Sequence, residues 1–397
     1  MGKIGVFGGT FNPPHKGHII AACEVREALG LDRVLFIPDA APPHKEMPPD
    51  SPDGRTRLEM VRAAVSGLPW AEVSDIELSR SGSSYTADTL TLLKERYPED
   101  TLYLLTGTDM FLSLHTWYHP EMICRHAVIV AMQRDGSSSK QAFEAQKKRL
   151  KSELGAKVKL VENRFVEVSS THVRRLLVLG GAEAYVSPGV MDIIHKKGLY
   201  GTARNYRGLS IDELREVSTG LLKENRVRHV LGCAQTAQSL ARHYGADETA
   251  ALRAGLLHDV TKAIDGEDQL LLVDKYDIMI SDFERNYPKV LHAKTGAAVA
   301  EHLFGESPEV VSAIYWHTTG KPDMTLMEKI IYLADYIEPT RSFDGVEDLR
   351  ATAYKDLDLT LLHAFDMVLE ELIREKKRLC DETPAARAFL AERLGVK

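Results

Sequence analysis

The chain has 397 residues, of which 44% are hydrophobic and 27% are charged, with a formal net charge of −7. This composition excludes a disordered chain and a collagen-like repeat, and the length predicts more than one domain. Because the charge balance is negative, the chain is not expected to bind nucleic acid, and small molecules are the expected partners.

The cysteines and the N-terminus indicate the cellular compartment. The four cysteines lie far apart without Cys-x-x-Cys spacing, which predicts reduced thiols. The first residues contain too short an apolar run for a signal peptide, and no stretch of about 18 apolar residues occurs. We therefore expect a cytoplasmic protein that does not span a membrane.

Short apolar runs alternate with helical patterns from the N-terminus to about residue 200. Four of these runs predict strands of a parallel sheet: "KIGVFGG", "RVLFIPD", "TLYLLTG" and "HAVIVAM". Between the first two, "HIIAACEVREALG" has apolar positions at helical spacing and predicts a helix that ends at Gly30. The first half is therefore predicted to be an α/β domain.

Beyond residue 200 only helical patterns are found, such as "RVRHVLGCAQTAQSLARHYG" and "MEKIIYLADYIE". The segment "YGTARNYRGLS", rich in glycine, arginine and asparagine, separates the two regions. We therefore predict an α/β domain over residues 1–204 and an all-α domain over residues 205–397.

The first predicted strand runs into "GGTFNPPHKGH", which has neither a dinucleotide-binding nor a P-loop glycine pattern. Gly8 and Gly9 allow a ligand to approach the backbone, and a helix beginning near His18 would direct free N–H groups at a phosphate. At this helix start His15 and His18 can donate hydrogen bonds to phosphoryl oxygens and offset the charge that develops in a transition state. An isolated His-x-x-His pair is more often a helix cap or a surface feature than a phosphate site. The neighbouring motifs therefore decide between these two interpretations.

The same stretch resembles the His-x-Gly-His signature of the nucleotidyltransferase superfamily, and "VSSTHVRR" at 168–175 resembles its second signature. Within that superfamily the resemblance is strongest to bacterial nicotinate-mononucleotide adenylyltransferase, over about the first 200 residues. His15 and Arg174 argue against the related phosphopantetheine adenylyltransferases. Three further motifs support the resemblance: "PPHK" at 42–45, "SYTADTL" at 84–90, and "GTDMF" at 107–111 followed by Trp117.

The resemblance implies a Rossmann-like domain in which the phosphate of nicotinate mononucleotide attacks the α-phosphorus of ATP. The products are deamido-NAD and pyrophosphate, and Mg²⁺ arrives with ATP. The implied catalytic residues are His15, His18 and Arg174. The implied ATP site consists of Gly8, Thr10, Phe11, Ser170, Thr171 and Arg174, and the implied pyridine-nucleotide site consists of His44, Lys45, Tyr85, Thr86, Asp109 and Trp117. A nucleotide-binding module without chemistry is the alternative, which the retention of both histidines disfavours.

Histidine and aspartate recur inside apolar helical segments of the second half. Burying such side chains unpaired is costly, so metal binding is the economical explanation. Imidazole and carboxylate ligands suit iron, manganese or zinc, and there are enough of them for two ions. Because adjacent helical residues diverge by about 100°, Asp259 can point away from His258 and bridge two ions. The candidate ligands are His229, His258, Asp259, His292, His317 and Asp335.

The motifs "HDVTK", "LHAKTGA", "WHTTG" and "LADYIEP" resemble those of the HD-domain metallophosphohydrolases, over about residues 210–390. The sequences of these motifs are most similar to those of the bacterial family that hydrolyses diadenosine tetraphosphate symmetrically to two ADP. This resemblance implies a di-iron centre with Asp259 in catalysis, and Lys262 is a candidate for steadying the polyphosphate. The alternatives are another nucleotide substrate, or a non-catalytic metal and nucleotide sensor that regulates the first domain. Whether the chain forms a homo-oligomer is left open.

Overall fold

The protein is described by a computed structural model over residues 1–40, 47–48, 50–80, 82, 84–134, 140–163 and 168–396. The chain divides into two compact units. The first unit comprises Met1–Val178 and Ala182–Arg204, and the second comprises Leu179–Gly181 and Asn205–Lys397. The predicted fold class, an α/β domain followed by a helical domain, is confirmed.

A six-stranded parallel sheet forms the centre of the first unit, in the order β3-β2-β1-β4-β5-β6. β1 pairs with β2 on one side and with β4 on the other, so the strand order reverses at β1. In open α/β sheets, ligands bind at such a point, beyond the carboxyl ends of the strands. The strands are β1 (Lys3–Gly9), β2 (Arg33–Pro38), β3 (Ala71–Val73), β4 (Thr101–Thr106), β5 (Ala127–Arg134) and β6 (Val158–Asn163).

Helices cover this sheet and enclose two apolar clusters. Ile4 and Val6 of β1 belong to one cluster and Phe7 belongs to the other, as expected from the alternation of side chains along a strand. The predicted first helix ends at Gly30, whose φ of 59° is a left-handed conformation that glycine adopts without strain. The helices are α1 (Lys16–Leu29), α2 (Gly54–Val65), α3 (Thr86–Arg96), α4 (Thr108–Ser113), α5 (Pro120–His126), α6 (Lys140–Leu154), α7 (Ser170–Leu179) and α8 (Pro188–Lys197).

A buried ion pair ties the loop after β1 to α2. Arg57 Nη1 donates to the Thr10 carbonyl oxygen at 2.7 Å and to Asp39 Oδ1 at 2.9 Å. Arg57 Nη2 donates to the Asp39 carbonyl oxygen at 2.7 Å, and the two side chains are only 3% and 12% exposed. The loop after β1 is therefore fixed by a buried arginine–carboxylate pair.

Arg57→Met is expected to destabilise the first unit by about 3–5 kcal/mol, because it removes the guanidinium from a largely buried ion pair with Asp39. Urea unfolding followed by tryptophan fluorescence in a Trp316→Phe background measures this loss, since the remaining tryptophans lie in the first unit. Arg62→Met is the matched control, because Arg62 is an exposed arginine of the same helix. Its effect is expected to stay within about 0.5 kcal/mol, and equal losses in the two variants would contradict the prediction.

The second unit is a helical bundle in which α10 packs against α11 and α16, and α15 packs against α14, α11 and α16. A Cβ at Gly255 would lie 2.5 Å from the Ala234 Cα, so glycine permits the close approach of α11 to α10. Within the described ranges, no helix has both the length and the apolar composition needed to cross a bilayer. The helices are α9 (Ile211–Leu221), α10 (Glu224–Tyr244), α11 (Glu248–Leu257), α12 (Gly266–Lys275), α13 (Asp282–Asn286), α14 (His292–Val299), α15 (Pro308–Trp316), α16 (Leu326–Ile337), α17 (Val346–Thr352), α18 (Leu357–Arg374) and α19 (Glu382–Leu394).

Candidate functional sites

His15 and His18 lie side by side where α1 begins. The helix starts at Lys16 with His15 as its N-cap residue, slightly earlier than predicted, and the two ring centroids are 3.7 Å apart. The backbone N–H of His15 donates to His18 Nδ1 at 3.2 Å. Because Nδ1 accepts this bond, the neutral ring of His18 carries its proton on Nε2, where it is a donor for a ligand.

Both histidines are neutral at pH 7. Burial, together with the neighbouring His18 ring, lowers the pKa of His15 to about 2, and burial lowers the pKa of His18 to about 4. A neutral imidazole offers one N–H and no net charge. The neutral histidines are therefore hydrogen-bond donors and not positive charges.

The second signature holds the loop that precedes the histidines. Arg174 Nη1 donates to the Asn12 carbonyl oxygen at 2.8 Å, and its Nη2 donates to Thr171 Oγ1 at 3.1 Å. Ser170 Oγ donates to the Pro13 carbonyl oxygen at 3.1 Å, although the two residues are 157 positions apart. The fold thus brings Ser170, Thr171 and Arg174, at the start of α7, to the histidine motif.

Two residues that support this loop were not predicted from the sequence. The buried Tyr200 hydroxyl donates to Asn12 Oδ1 at 2.7 Å, and Asn12 Nδ2 donates to Ser51 Oγ at 2.9 Å. Asn12 lies inside the quoted motif, but nothing in the pattern shows that its side chain has a partner. Tyr200 lies in the segment interpreted as a linker, so no signal pointed to it.

A cavity of about 450 Å³ opens at the carboxyl end of the sheet. Several of its lining residues were predicted for the ATP and pyridine-nucleotide sites, namely Gly8, Thr10, Tyr85, Thr86 and Trp117. Others were not predicted, namely Asp39, Glu77, Ser84, Thr89 and Tyr118. Burial raises the pKa of Glu77 above its usual range, although a hydrogen bond from Thr89 at 2.8 Å opposes this rise.

Two predicted site residues, Phe11 and Asp109, do not line this cavity, and two others cannot be placed. Phe11 is 1% exposed and packs edge-on against Phe7 and His18, so its side chain supports the loop from the core and only its backbone can face ATP. Asp109 is exposed in the first turn of α4 and is not among the described residues that line the cavity. His44 and Lys45 lie outside the described residues.

The six predicted metal ligands converge in the second unit. All of them except Asp335 are buried. Two overlapping groups, His229–His258–Asp335 and His258–Asp259–His317, each have their ligand atoms within 4.8 Å of one another. The elements that supply the six ligands are α10 for His229, the turn directly after α11 for His258 and Asp259, the start of α14 for His292, the turn directly after α15 for His317 and the last turn of α16 for Asp335.

Asp259 lies between two pairs of histidines. Its Oδ2 is 3.7 Å from His229 Nε2 and 3.5 Å from His258 Nε2. Its Oδ1 is 3.4 Å from His292 Nε2 and 3.8 Å from His317 Nε2. Oδ1 is buried and has no hydrogen-bond partner among the described residues, and such an orphaned oxygen is costly unless a cation satisfies it.

All four histidines present the same ring nitrogen to the centre. Each Nδ1 faces an oxygen. For His258, His292 and His317 this oxygen is a backbone carbonyl, so the neutral ring has its proton on Nδ1 and its lone pair on Nε2. His229 has a carboxylate oxygen 3.0 Å from each ring nitrogen, Glu338 Oε1 at Nδ1 and Asp335 Oδ1 at Nε2. The Nε2 atoms of His229 and His258 are only 3.2 Å apart, and Asp335 Oδ1 lies 3.0 Å from His229 Nε2, so nitrogen and oxygen ligand atoms lie close together here. The residues therefore fit divalent transition metals. The acceptors are Glu338 Oε1 at 3.0 Å for His229, and the carbonyl oxygens of Gly255 at 2.7 Å for His258, Lys289 at 2.8 Å for His292 and Ile314 at 2.7 Å for His317.

Three charged residues around this centre were not predicted from the sequence. Glu338 is fully buried and orients His229, and Arg226 Nε donates to Asp259 Oδ2 at 2.5 Å. Arg341 Nη2 donates to Asp335 Oδ1 at 2.6 Å. Arg226 precedes His229 by three positions on a helix, a spacing that places the two side chains on one face and could have indicated it.

Comparison with known proteins separates the chain into the same two parts. The family model "Cytidylyltransferase-like" matches residues 6–176, and the HD domain model matches residues 226–340. A probable nicotinate-nucleotide adenylyltransferase of Syntrophotalea carbinolica is 37% identical over 212 residues, which is 50% of this chain and 97% of the relative. The corresponding protein of Exiguobacterium sibiricum is 40% identical over 201 residues, which is 50% of this chain and 100% of the relative.

A solved structure is also similar to part of the chain. It is that of a predicted HD superfamily hydrolase involved in NAD metabolism from Clostridium acetobutylicum, which is 38% identical. The similarity covers 47% of this chain and 98% of the solved chain, with a TM-score of 0.45.

Proposed function

The chain belongs to the nicotinate-nucleotide adenylyltransferase family and carries an HD domain in addition, and from this premise we propose that its first unit transfers the adenylyl group of ATP to nicotinate mononucleotide. The observation that carries the proposal is the cavity at the carboxyl end of the sheet. Its wall joins Gly8 and Thr10, next to the histidine motif, to Tyr85, Thr86 and Trp117. Residues implied for both substrates therefore share one space.

Aromatic rings on this wall suit a pyridine nucleotide. The Tyr85 and Tyr118 rings stack with centroids 4.3 Å apart, and Trp117 lines the same cavity. Trp117 Nε1 donates to Ser113 Oγ at 3.3 Å, which helps to fix the indole plane. Stacking against such rings favours a flat heterocycle.

The proposed reaction needs positioning and charge stabilisation, and no covalent intermediate. A phosphate oxygen of nicotinate mononucleotide forms a bond to the α-phosphorus of ATP, and the bond from this phosphorus to the bridging oxygen of the β-phosphate breaks. Pyrophosphate leaves with that electron pair. His18 donates to a phosphoryl oxygen through Nε2, Arg174 supplies positive charge, and Mg²⁺ accompanies ATP.

Product analysis tests this proposal. The full chain is incubated with ATP and Mg²⁺ and with either nicotinate mononucleotide or its nicotinamide counterpart. With nicotinate mononucleotide we expect deamido-NAD and pyrophosphate in equal amounts. The reaction is expected to be faster with this acid than with the nicotinamide counterpart. The absence of product from both would overturn the proposed transfer, and faster reaction of the amide would overturn the preference for the acid.

For the second unit we propose metal-dependent, symmetrical hydrolysis of diadenosine tetraphosphate to two ADP. The supporting observation is Asp259, whose two oxygens face two separate pairs of histidine nitrogens. Two bound divalent ions, which we propose to be iron, would supply a hydroxide and offset charge on the phosphoryl oxygens. Lys262 Nζ lies 2.9 Å from His292 Nε2, within reach of a polyphosphate bound at this centre.

The test uses the full chain loaded anaerobically with Fe²⁺ and supplied with diadenosine tetraphosphate. ADP as the sole product is expected. ATP together with AMP would retain a hydrolase but overturn the symmetrical position of attack. Intact substrate in the presence of bound metal would favour another nucleotide substrate or the sensor interpretation.

A further inference from the structure

Two arginines contact the carboxylates of the proposed metal centre at atoms that an ion would also bind. Arg226 donates from Nε to Asp259 Oδ2 at 2.5 Å, and its Nη2 contacts the same oxygen. Arg341 donates from Nη2 to Asp335 Oδ1 at 2.6 Å. Both oxygens face His229 Nε2, which is 3.7 Å from Asp259 Oδ2 and 3.0 Å from Asp335 Oδ1. Each guanidinium therefore shares a carboxylate oxygen with a histidine ligand.

A divalent ion and a guanidinium group compete for these oxygens. Each oxygen has few lone pairs, and an ion beside a guanidinium on one oxygen places like charges within a few ångströms of each other. The Asp259 side chain is 1% exposed, and turning its carboxylate away from the histidines would remove a ligand from the metal centre. The arginine side chain is the partner that can move.

The two arginines lie on the solvent side of the centre. The Arg226 side chain is 29% exposed and the Arg341 side chain is 32% exposed. Either group can therefore leave its carboxylate without burying an unpaired charge. A planar guanidinium binds phosphate oxygens through two parallel hydrogen bonds, so a phosphate bound beside the ions offers both arginines a new anionic partner.

We propose that Arg226 and Arg341 exchange partners when metal binds: they leave Asp259 and Asp335 and bind the phosphate oxygens of a nucleoside polyphosphate. The inference rests on the proposed phosphohydrolase function of the second unit. It makes the arginines positioning residues for the polyphosphate chain. It also links the affinity for this anion to metal occupancy, because the arginines are free for phosphate only after the ions have taken their carboxylates.

Arg226→Met in the full chain tests the exchange with Mn²⁺ as the metal and ADP as the anion. Electron paramagnetic resonance of free Mn²⁺ gives the metal affinity, and the change that ADP causes in the spectrum of bound Mn²⁺ gives the anion affinity. We expect Mn²⁺ to bind as tightly as in the parent chain or more tightly. ADP is expected to bind about 10- to 100-fold more weakly, as for the loss of a charge-assisted hydrogen bond.

Three further variants make the measurement specific. Arg228→Met removes an exposed arginine from the same helix and is expected to change neither affinity. Asp259→Ala removes the proposed metal centre, so the signal that remains in this variant measures Mn²⁺ and ADP bound at other sites, including the first unit. Arg226→Lys keeps the positive charge and is expected to restore part of the ADP affinity, which a misfolded variant would not do.

Weaker Mn²⁺ binding by Arg226→Met would overturn the exchange, because it would show that the arginine holds Asp259 in place for the metal. Unchanged ADP affinity would overturn it as well. If the parent chain binds Mn²⁺ and ADP as expected but does not cleave diadenosine tetraphosphate, only the proposed substrate fails and the exchange stands. If the parent chain binds no Mn²⁺, both proposals fail.

Discussion

His18→Ala is expected to lower kcat for adenylyl transfer by about 10²- to 10³-fold, the usual effect of removing one hydrogen bond to a transition-state oxygen. The His18 ring accepts from the His15 backbone through Nδ1 and so presents the proton on Nε2. Its pKa of about 4 keeps the ring neutral over the assay range, so the lost interaction is a hydrogen bond and not a fixed charge. KM for ATP is expected to change little, because this bond strengthens as charge develops on the phosphoryl oxygens.

Steady-state kinetics with ATP and nicotinate mononucleotide measure this effect, and hydrolysis of diadenosine tetraphosphate by the same preparation reports on the second unit. The hydrolysis is expected to stay at the level of the parent chain. His195→Ala is the matched control, since His195 is an exposed histidine of α8 in the same unit. A rise in KM at unchanged kcat would show that His18 binds the ground state only, and equal losses of both activities would indicate general misfolding.

Asp259→Asn is expected to remove bound metal from both histidine pairs and to lower hydrolysis of diadenosine tetraphosphate by more than about 10³-fold. The reason is the position of this carboxylate, whose Oδ1 faces His292 and His317 while Oδ2 faces His229 and His258. An amide has one oxygen and cannot serve both pairs, and it removes the negative charge on which two cations depend.

Elemental analysis of the purified chain gives the metal content, and product chromatography gives the rate. Asp274→Asn is the control, because Asp274 is an exposed aspartate on α12 of the same unit. Adenylyl transfer is expected to be unaffected in both variants. Retention of one ion per chain with substantial hydrolysis would show that Asp259 serves a single ion and is not a bridge.

The strands that the sequence predicted are those that lie inside the sheet. β1, β2, β4 and β5 are flanked by a strand on each side, and their apolar runs are long enough to be recognised without other information. β3 has only three residues, and β6 begins "VKLV" with a charge among its apolar residues. Both lie at an edge of the sheet, where a strand needs less apolar surface, so their pairing depends on a neighbour that is distant in sequence.

The sequence by itself determined which residue types gather at each site. Histidines and aspartates inside apolar helical segments require polar partners, and glycines before a histidine pair at a helix start allow phosphate to approach. Local patterns of this kind are properties of consecutive residues, so they can be read without the fold.

Only the tertiary structure decided which atoms of those residues face one another. The tautomers of His258, His292 and His317 depend on three carbonyl oxygens, and the orientation of His229 depends on Glu338. The loop before His15 depends on Arg57 and Tyr200. Tyr200 is 188 positions from its partner Asn12, and Glu338 is 109 positions from His229. Hydrogen bonds of this kind form between residues that come close only after the elements have packed, so no periodicity along the chain predicts them.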